Sequence, residues 1–389
     1  METSYLTKKL SDVCDFKVEK NTRNLPYLGM EDIQSNSMTF TGSREPKKVK
    51  STTNYFDETT VIYGKLRPYL NKVFVPGFEG HCTTEFVPLN PNLEYLSRDW
   101  LAYWLSSSSV IEELSGNTTG SRMPRADMKR LASMEIPLPP LAEQKKIVKV
   151  LEEKLGKVKE AIQLRNDAIA DTEKILSAKL SEIFTEGKEK GWEEKELGMT
   201  CEITSSKRIY KNEYVDSGVP FYRTKEISEL DHGKTISTEL FISRERFDEV
   251  RNQFGIPKAG DLLLSAIGTI GKMYIVKGTE EFYFKDGNIL WLKIPDSIDS
   301  FFVKYFLKFA IFGIQGLSAG SAYNALPINK LKKFLISVPD LKTQERIVKE
   351  LDELSAQVAK LRTLQDEQLA DLKSLERAYL HEAFASELV

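Results

Sequence analysis

Pro139-Pro140-Leu141-Ala142-Glu143-Gln144-Lys145-Lys146-Ile147-Val148 recurs two hundred positions later as Pro339-Asp340-Leu341-Lys342-Thr343-Gln344-Glu345-Arg346-Ile347-Val348. Working outward, the match runs without a gap from Gly120–Phe184 to Gly320–Phe384. It closes on Ala178, Leu180, Glu182 and Phe184 against Ala378, Leu380, Glu382 and Phe384. A repeat of this length makes the chain a tandem of two similar units. Its function is then spread over two parts and is not confined to one pocket.

Each copy of the motif opens a long helix. Pro137 and Pro139-Pro140 end the preceding strand and suit a helix start. Leu151, Leu155, Val158, Ile162, Ile169, Leu176 and Ile183 then follow a heptad, broken by Arg165 and Thr172. In the second copy the stripe is Ile347, Leu351, Leu354, Val358, Leu361, Leu372, Leu375 and Tyr379, with Gln365 and Gln368 between. Spacings that alternate between three and four make a narrow coiled-coil seam. At ~1.5 Å per residue each helix reaches roughly 60 Å. Equal lengths and a shared start make the two helices partners for each other. A homodimeric coiled coil, or a helix packed on its own domain, are the alternatives.

Between the helices lie mixed blocks with short β-rich runs and Gly/Pro punctuation. The division expected is 1–137, a first globular domain; 138–187, a helix; 188–337, a second globular domain; and 338–389, a second helix. The blocks echo each other at their edges. Leu10 and Cys14 match Leu197 and Cys201, and Leu25-Pro26-Tyr27 with Ile33 matches Val219-Pro220-Phe221 with Ile227. The middles differ. A common scaffold with different contents is what two readers of two targets look like. The expected fold class is α+β: two globular domains, an antiparallel coiled coil of two long helices, and a pseudo-two-fold internal repeat.

The chain of 389 residues is long enough for two domains or more. No apolar run approaches the ~18 residues of a membrane span, and the start METSYLTKKLSDV lacks a signal-peptide core. Three widely spaced cysteines, Cys14, Cys82 and Cys201, fit a reducing compartment. The expected location is the cytoplasm. A net charge of −2 disfavours a binder of nucleic acid over its whole surface but leaves room for local basic faces.

The paired Pro-Leu-x-x-Gln-x-x-Ile-Val starts, each after a variable block and before a long helix, resemble the specificity subunit of type I restriction-modification enzymes. The resemblance covers essentially the whole chain, and two copies in this order are highly specific. It implies target recognition domains that each read one half of a split, asymmetric sequence in double-stranded DNA. It implies helices that space those domains and dock two modification (methyltransferase) subunits and, through them, restriction subunits. It also implies that the chain itself is non-catalytic. The second start has Asp340 where the first has Pro140, and both residues suit a first helical turn.

DNA reading needs cations on phosphates and polar groups at base edges. The first block offers the loop Thr41–Ser51 with Arg44, Lys47, Lys48 and Lys50, the turn with Lys65 and Arg67 beside Tyr69, and the glycine-flanked Arg122 and Arg125. The second offers Lys207, Arg208 and Lys211, then Arg223 and Lys225, then Lys272 at the end of a glycine-punctuated turn, then Tyr323 and Asn324. Asn324 is of the type that pairs with adenine. Solvated loops and strand edges are the plain alternatives for each.

Signals for catalysis and cofactors fail singly. Gly268-Thr269-Ile270-Gly271-Lys272 lacks the spacing of a phosphate loop. His81, His232 and His381 stand apart from each other and from cysteines, so no metal or cofactor is expected. Cys14 and Cys201 look like small core residues. A coiled-coil scaffold that binds proteins, and a methyltransferase in its own right, are the competing readings; the second lacks an Asn-Pro-Pro-aromatic motif.

Overall fold

The computed structural model describes residues 5–120, 122–268, 270–278, 280–317 and 325–385. They form two compact units: Met1–Asp167 with Gln365–Val389, and Ala168–Leu364. The boundary falls inside both long helices. Each unit therefore combines one mixed block with half of each helix.

In the first unit the strands are β1 (Thr7–Lys9), β2 (Cys14–Asp15), β3 (Tyr27–Leu28), β4 (Thr53–Phe56), β5 (Val61–Gly64), β6 (Val73–Phe74), β7 (Gly80–Thr83), β8 (Phe86–Pro91), β9 (Thr118–Thr119), β10 (Arg125–Ala126) and β11 (Glu135–Pro137). The helices are α1 (Leu10–Val13), α2 (Arg98–Leu105), α3 (Ser108–Gly116), α4 (Met128–Ser133) and the long α5 (Leu141–Glu189). The second unit holds β12 (Glu193–Glu196), β13 (Glu202–Ser205), β14 (Tyr214–Val215), β15 (Val219–Tyr222), β16 (Phe241–Ile242), β17 (Leu262–Ser265), β18 (Met273–Ile275), β19 (Tyr283–Phe284), β20 (Ile289–Lys293) and β21 (Leu335–Val338). Its helices are α6 (Leu197–Thr200), α7 (Thr224–Asp231), α8 (Arg244–Phe254), α9 (Ser300–Leu317) and α10 (Ile328–Lys332), followed by the long α11 (Leu341–Phe384).

One sheet is built twice. Its order is β2-β8-β5-β6 in the first unit and β13-β20-β17-β18 in the second. All its pairings are antiparallel. The strands Val61-Ile62-Tyr63-Gly64 and Leu262-Leu263-Leu264-Ser265 are buried at every position, as near-continuous apolar runs require. The other sheet diverges. It is β3-β7-β4 in the first unit and β14-β16-β15-β19 in the second, and only its parallel pairs, β3 with β7 and β15 with β19, correspond.

The repeated motif explains itself at the helix starts. Gln144 is buried; its Oε1 accepts the Ser97 N–H at 2.9 Å, and its Nε2 donates to the Pro139 and Tyr95 carbonyls at 2.8 and 2.7 Å. Gln344 accepts the Asp299 N–H at 2.9 Å and donates to the Pro339 carbonyl at 2.8 Å. The glutamine thus latches the helix start to the N-terminus of α2 or α9. Both helices begin later than the sequence pattern implied, at Leu141 and Leu341, because the proline-containing step before each stays outside the helix. The Pro140 carbonyl accepts the Gln144 N–H at 3.0 Å. Asp340 does the same and also caps with its side chain, accepting the Thr343 N–H at 3.0 Å.

Within each unit the two helix halves run antiparallel. Ile147, Val148 and Leu151, near the start of α5, share the first core with Leu380 and Ala383, near the end of α11. In the second core Leu180, Ile183 and Phe184 join Ile347, Val348 and Leu351. Lys179 pairs with Glu350 at 2.9 Å, and Arg362 with Glu173 at 2.7 Å. The α5 stripe is buried or half-buried throughout, including Arg165 and Thr172. The α11 stripe departs from expectation: Leu361 and Leu375 are exposed. The inward positions there are Leu351, Ser355, Val358, Arg362, Gln365, Leu369, Leu372, Glu376 and Tyr379, an unbroken heptad that carries polar residues. Burial raises the Glu376 carboxyl above its ordinary pKa.

Candidate nucleic-acid interface

Hydrogen bonds hold the basic loop of the first block against a sheet. His81, buried in β7, has Nδ1 at 3.0 Å from the Thr53 hydroxyl and Nε2 at 3.1 and 2.9 Å from the Leu25 and Lys47 carbonyls. Two carbonyls can only accept, so Nε2 carries the proton and Nδ1 accepts from Thr53. The loop side chains then stand on aromatic rings: Arg44 over Phe78 at 5.1 Å and Lys47 over Tyr27 at 5.5 Å. Lys48 and Lys50 are exposed. None of these four cations has a carboxylate partner among the described residues.

A second basic feature joins two segments far apart in sequence. The Lys65 N–H donates to the Glu85 carbonyl at 3.0 Å, the Ala126 N–H to the Lys65 carbonyl at 2.8 Å, and the Arg67 N–H to the Pro124 carbonyl at 2.7 Å. Leu66 bridges Arg125. Lys65, Arg67, Arg122 and Arg125 therefore meet at one corner, where Arg67 and Arg122 are exposed. Arg125 grips Glu85 with both nitrogens, Nη2 at 2.6 Å and Nε at 2.9 Å. The Arg125 bond, reinforced by Lys65, holds the Glu85 carboxyl below its usual pKa.

The second unit repeats three of this corner's backbone hydrogen bonds and its β-bridge. The Ser265 N–H donates to the Lys272 carbonyl as Gly64 does to Lys72, both at 2.8 Å. Ala266 donates to Asn288 and accepts from Leu326, in the places of Lys65, Glu85 and Ala126. Ile267 bridges Ala325. The correspondence puts Gly268 at the place of Arg67. Both have positive φ, 77° and 51°. A left-handed backbone costs a non-glycine residue roughly 1–2 kcal/mol, so Arg67 stands where the fold favours glycine.

The other cations of the second block are mostly paired. Arg208 Nε donates to Asp286 at 2.9 Å. Arg223 bonds the fully buried Glu226 at 2.9 Å and Glu239 at 3.2 Å, and Lys225 shares Glu239 at 3.2 Å. Lys207 lies over Phe254 at 5.2 Å, and Lys211 is exposed in a short turn. Lys272 meets Asp231 and His232. Tyr323 and Asn324 lie outside the described residues. Two lysines of α9, Lys304 and Lys308, were missed in the sequence. Their signal was a pair of cations one turn apart in an otherwise apolar helix. Among the described residues no helix is long and apolar enough to cross a membrane, and no cluster of His, Cys, Asp or Glu could hold a metal ion.

A family model described as type I restriction modification DNA specificity domain matches residues 4–166 and 189–369, both mixed blocks. The chain belongs to that family. Two specificity domains therefore occur in tandem, each containing the twice-built corner. A putative type I restriction enzyme specificity subunit, S.HindORF215P of Haemophilus influenzae, is 33% identical over 264 residues, 67% of this chain and 64% of that one. The match thus spans less than two thirds of that relative. A chain solved in work on complex assembly and conformational transition of the type I R-M system has a TM-score of 0.82 at 24% identity, covering 99% of this chain and 98% of that one. The HsdS subunit from Thermoanaerobacter tengcongensis gives 0.61 at 24% identity, covering 99% and 97%. At such identity these two likenesses establish the fold of the specificity domains.

Proposed function

We propose that the chain is the DNA specificity subunit of a type I restriction-modification complex and performs no chemistry itself. Residues 1–137 and 188–337 are its two recognition domains. Each reads one half of a bipartite, asymmetric duplex target. Residues 138–187 and 338–389 form the spacer whose length sets the unread bases between the halves. The observation that carries this reading is the twice-built corner: the same backbone hydrogen bonds and β-bridge hold Lys65 and Arg125 in one unit and Ala266 and Ala325 in the other, with Arg67 and Gly268 next along the turn. A constant frame with different side chains suits two different sequences.

Two modification subunits dock on the long helices, and restriction subunits join through them. Exposed Lys145, Lys146, Glu152 and Glu153, with Glu345, Arg346, Asp352 and Glu353 in the second copy, support that role. So do the exposed apolar side chains Leu164, Ile175, Leu361, Leu364 and Leu375. Such a complex works on DNA in the cytoplasm.

The test is selection from a random duplex pool by the full chain with its modification subunit, followed by sequencing of the retained DNA. The expected product is two short unlike motifs at a fixed separation. Retention without any split motif would sink the proposal and favour a protein-binding scaffold.

A further inference from the structure

Three elements of the second unit converge at the start of β18: the end of α7, the turn that closes at Lys272, and α9. Lys272 Nζ lies 3.8 Å from Asp231 Oδ2 and 3.4 Å from His232 Nε2. The His232 Nδ1–H donates to the Ser228 carbonyl at 2.6 Å, so its Nε2 accepts from the Lys272 ammonium. Lys304 Nζ lies 3.1 Å from Asp231 Oδ1. One turn on, Lys308 lies 5.4 Å over the Tyr305 ring, and the Tyr305 hydroxyl donates to Asp352 at 2.6 Å. These groups are poorly solvated: the side chains of Lys272, Lys304 and Asp231 are 28%, 18% and 12% exposed. Three ammonium groups thus stand near two carboxylates, the sheltered Asp231 and the exposed Asp352, which leaves one positive charge in excess in a partly buried place.

Among the described residues, the first unit has no such cluster. Aligned by their latching glutamines, Ala102 of α2 and Ser106, which follows its last residue, stand where Lys304 and Lys308 stand in α9, and both are buried. Lys72, the counterpart of Lys272, donates to the Met30 carbonyl at 2.5 Å. The first unit instead carries positive charge on the corner itself, where the second has Ala266, Gly268 and Ala325.

We propose that Lys272, Lys304 and Lys308 form a phosphate site that grips one backbone phosphodiester of duplex DNA beside the second unit's recognition corner. The inference rests on the DNA-reading function proposed above. One phosphodiester carries the single negative charge that the cluster lacks. Two lysines on one helix face and a third on the adjoining turn can close on its oxygens from two sides. Burial and the neighbouring Lys304 lower the Lys308 pKa, as for an ammonium held short of counter-charge.

The experiment uses the full chain with the modification subunit, as parent, Lys304→Gln, Lys308→Gln and Asp231→Asn. Each is checked by thermal unfolding, and duplex binding is followed across a range of KCl concentrations. Removing one lysine should lower the slope of log affinity against log salt by about one, with no change in preferred sequence. Asp231→Asn, which adds net positive charge, should tighten binding and steepen the slope. If the parent binds duplex and all three variants keep its affinity and slope, the phosphate site is wrong while the DNA reading stands. If the parent binds no duplex, that reading fails. The site is then decided by titrating inorganic phosphate against the Lys308 side-chain NMR signal, where an upward move of its pKa supports an anion site and no response overturns it.

Discussion

Arg67 shows how a single residue can carry a functional signal through its backbone. The counterpart of its left-handed conformation in the second unit is Gly268. Strain of this kind persists where the side chain is needed. Arg67→Gly should therefore raise stability by about 1 kcal/mol, seen in urea unfolding, while weakening duplex binding. A variant that gains stability and keeps full binding would show that the arginine side chain has no role. Glu85 makes a pH prediction. Its carboxyl pKa is held below the usual 4.5 by Arg125. A depressed pKa adds stability that is present above the unfolded value and lost as pH falls through the folded one. Below pH 4.5 the parent should lose thermal stability more steeply than Glu85→Gln; parallel curves would show that the pair adds nothing. The sequence displayed Arg125 as a free cation, because nothing local ties it to a glutamate forty positions away.

At the scale of elements, the basic loop depends on β7 for its position. His81→Leu leaves the Thr53 hydroxyl and the Lys47 carbonyl without their partner, while the Leu25 carbonyl keeps the Lys47 N–H. It should cost about 2–3 kcal/mol in chemical unfolding, and lower duplex affinity at temperatures where the variant is still folded. The helices end as deliberately as they begin. Phe184 packs on Phe302, Phe306 and Phe309 at ring separations of 5.5–5.6 Å. Phe184→Ala should cost about 3–5 kcal/mol, read as a lower urea midpoint. The start motif and the α5 stripe were legible because a helix repeats its faces at a fixed period. The α11 stripe was only half legible: Arg362 and Glu376 occupy inward positions, while Leu361 and Leu375, the apolar neighbours that a pattern search prefers, face solvent.

For the whole molecule, the repeat is a statement about equivalent bonds. Gln144→Leu and Gln344→Leu should each lower stability by a similar amount, about 2 kcal/mol, because each glutamine ties the start of a long helix to the N-terminus of α2 or α9. A large inequality would make the equivalence formal. In the pool selection, Arg67→Gly should relax one half of the recovered motif and leave the other unchanged. Loss of both halves would contradict two independent readers.

The amino-acid sequence by itself determined the tandem, the two long helices, the α+β class and the family, since each of these is carried by local periodicity or by matched positions along the chain. Only the tertiary structure decided which cations are committed and which are available. It brought residues 65–67 to 122–125 and Lys272 to Lys304, and it tied Arg125, Arg208 and Arg223 to carboxylates distant or near. The reason is physical: a charge's role depends on what stands within a few ångströms of it, and that neighbourhood is assembled by folding, not by order along the chain.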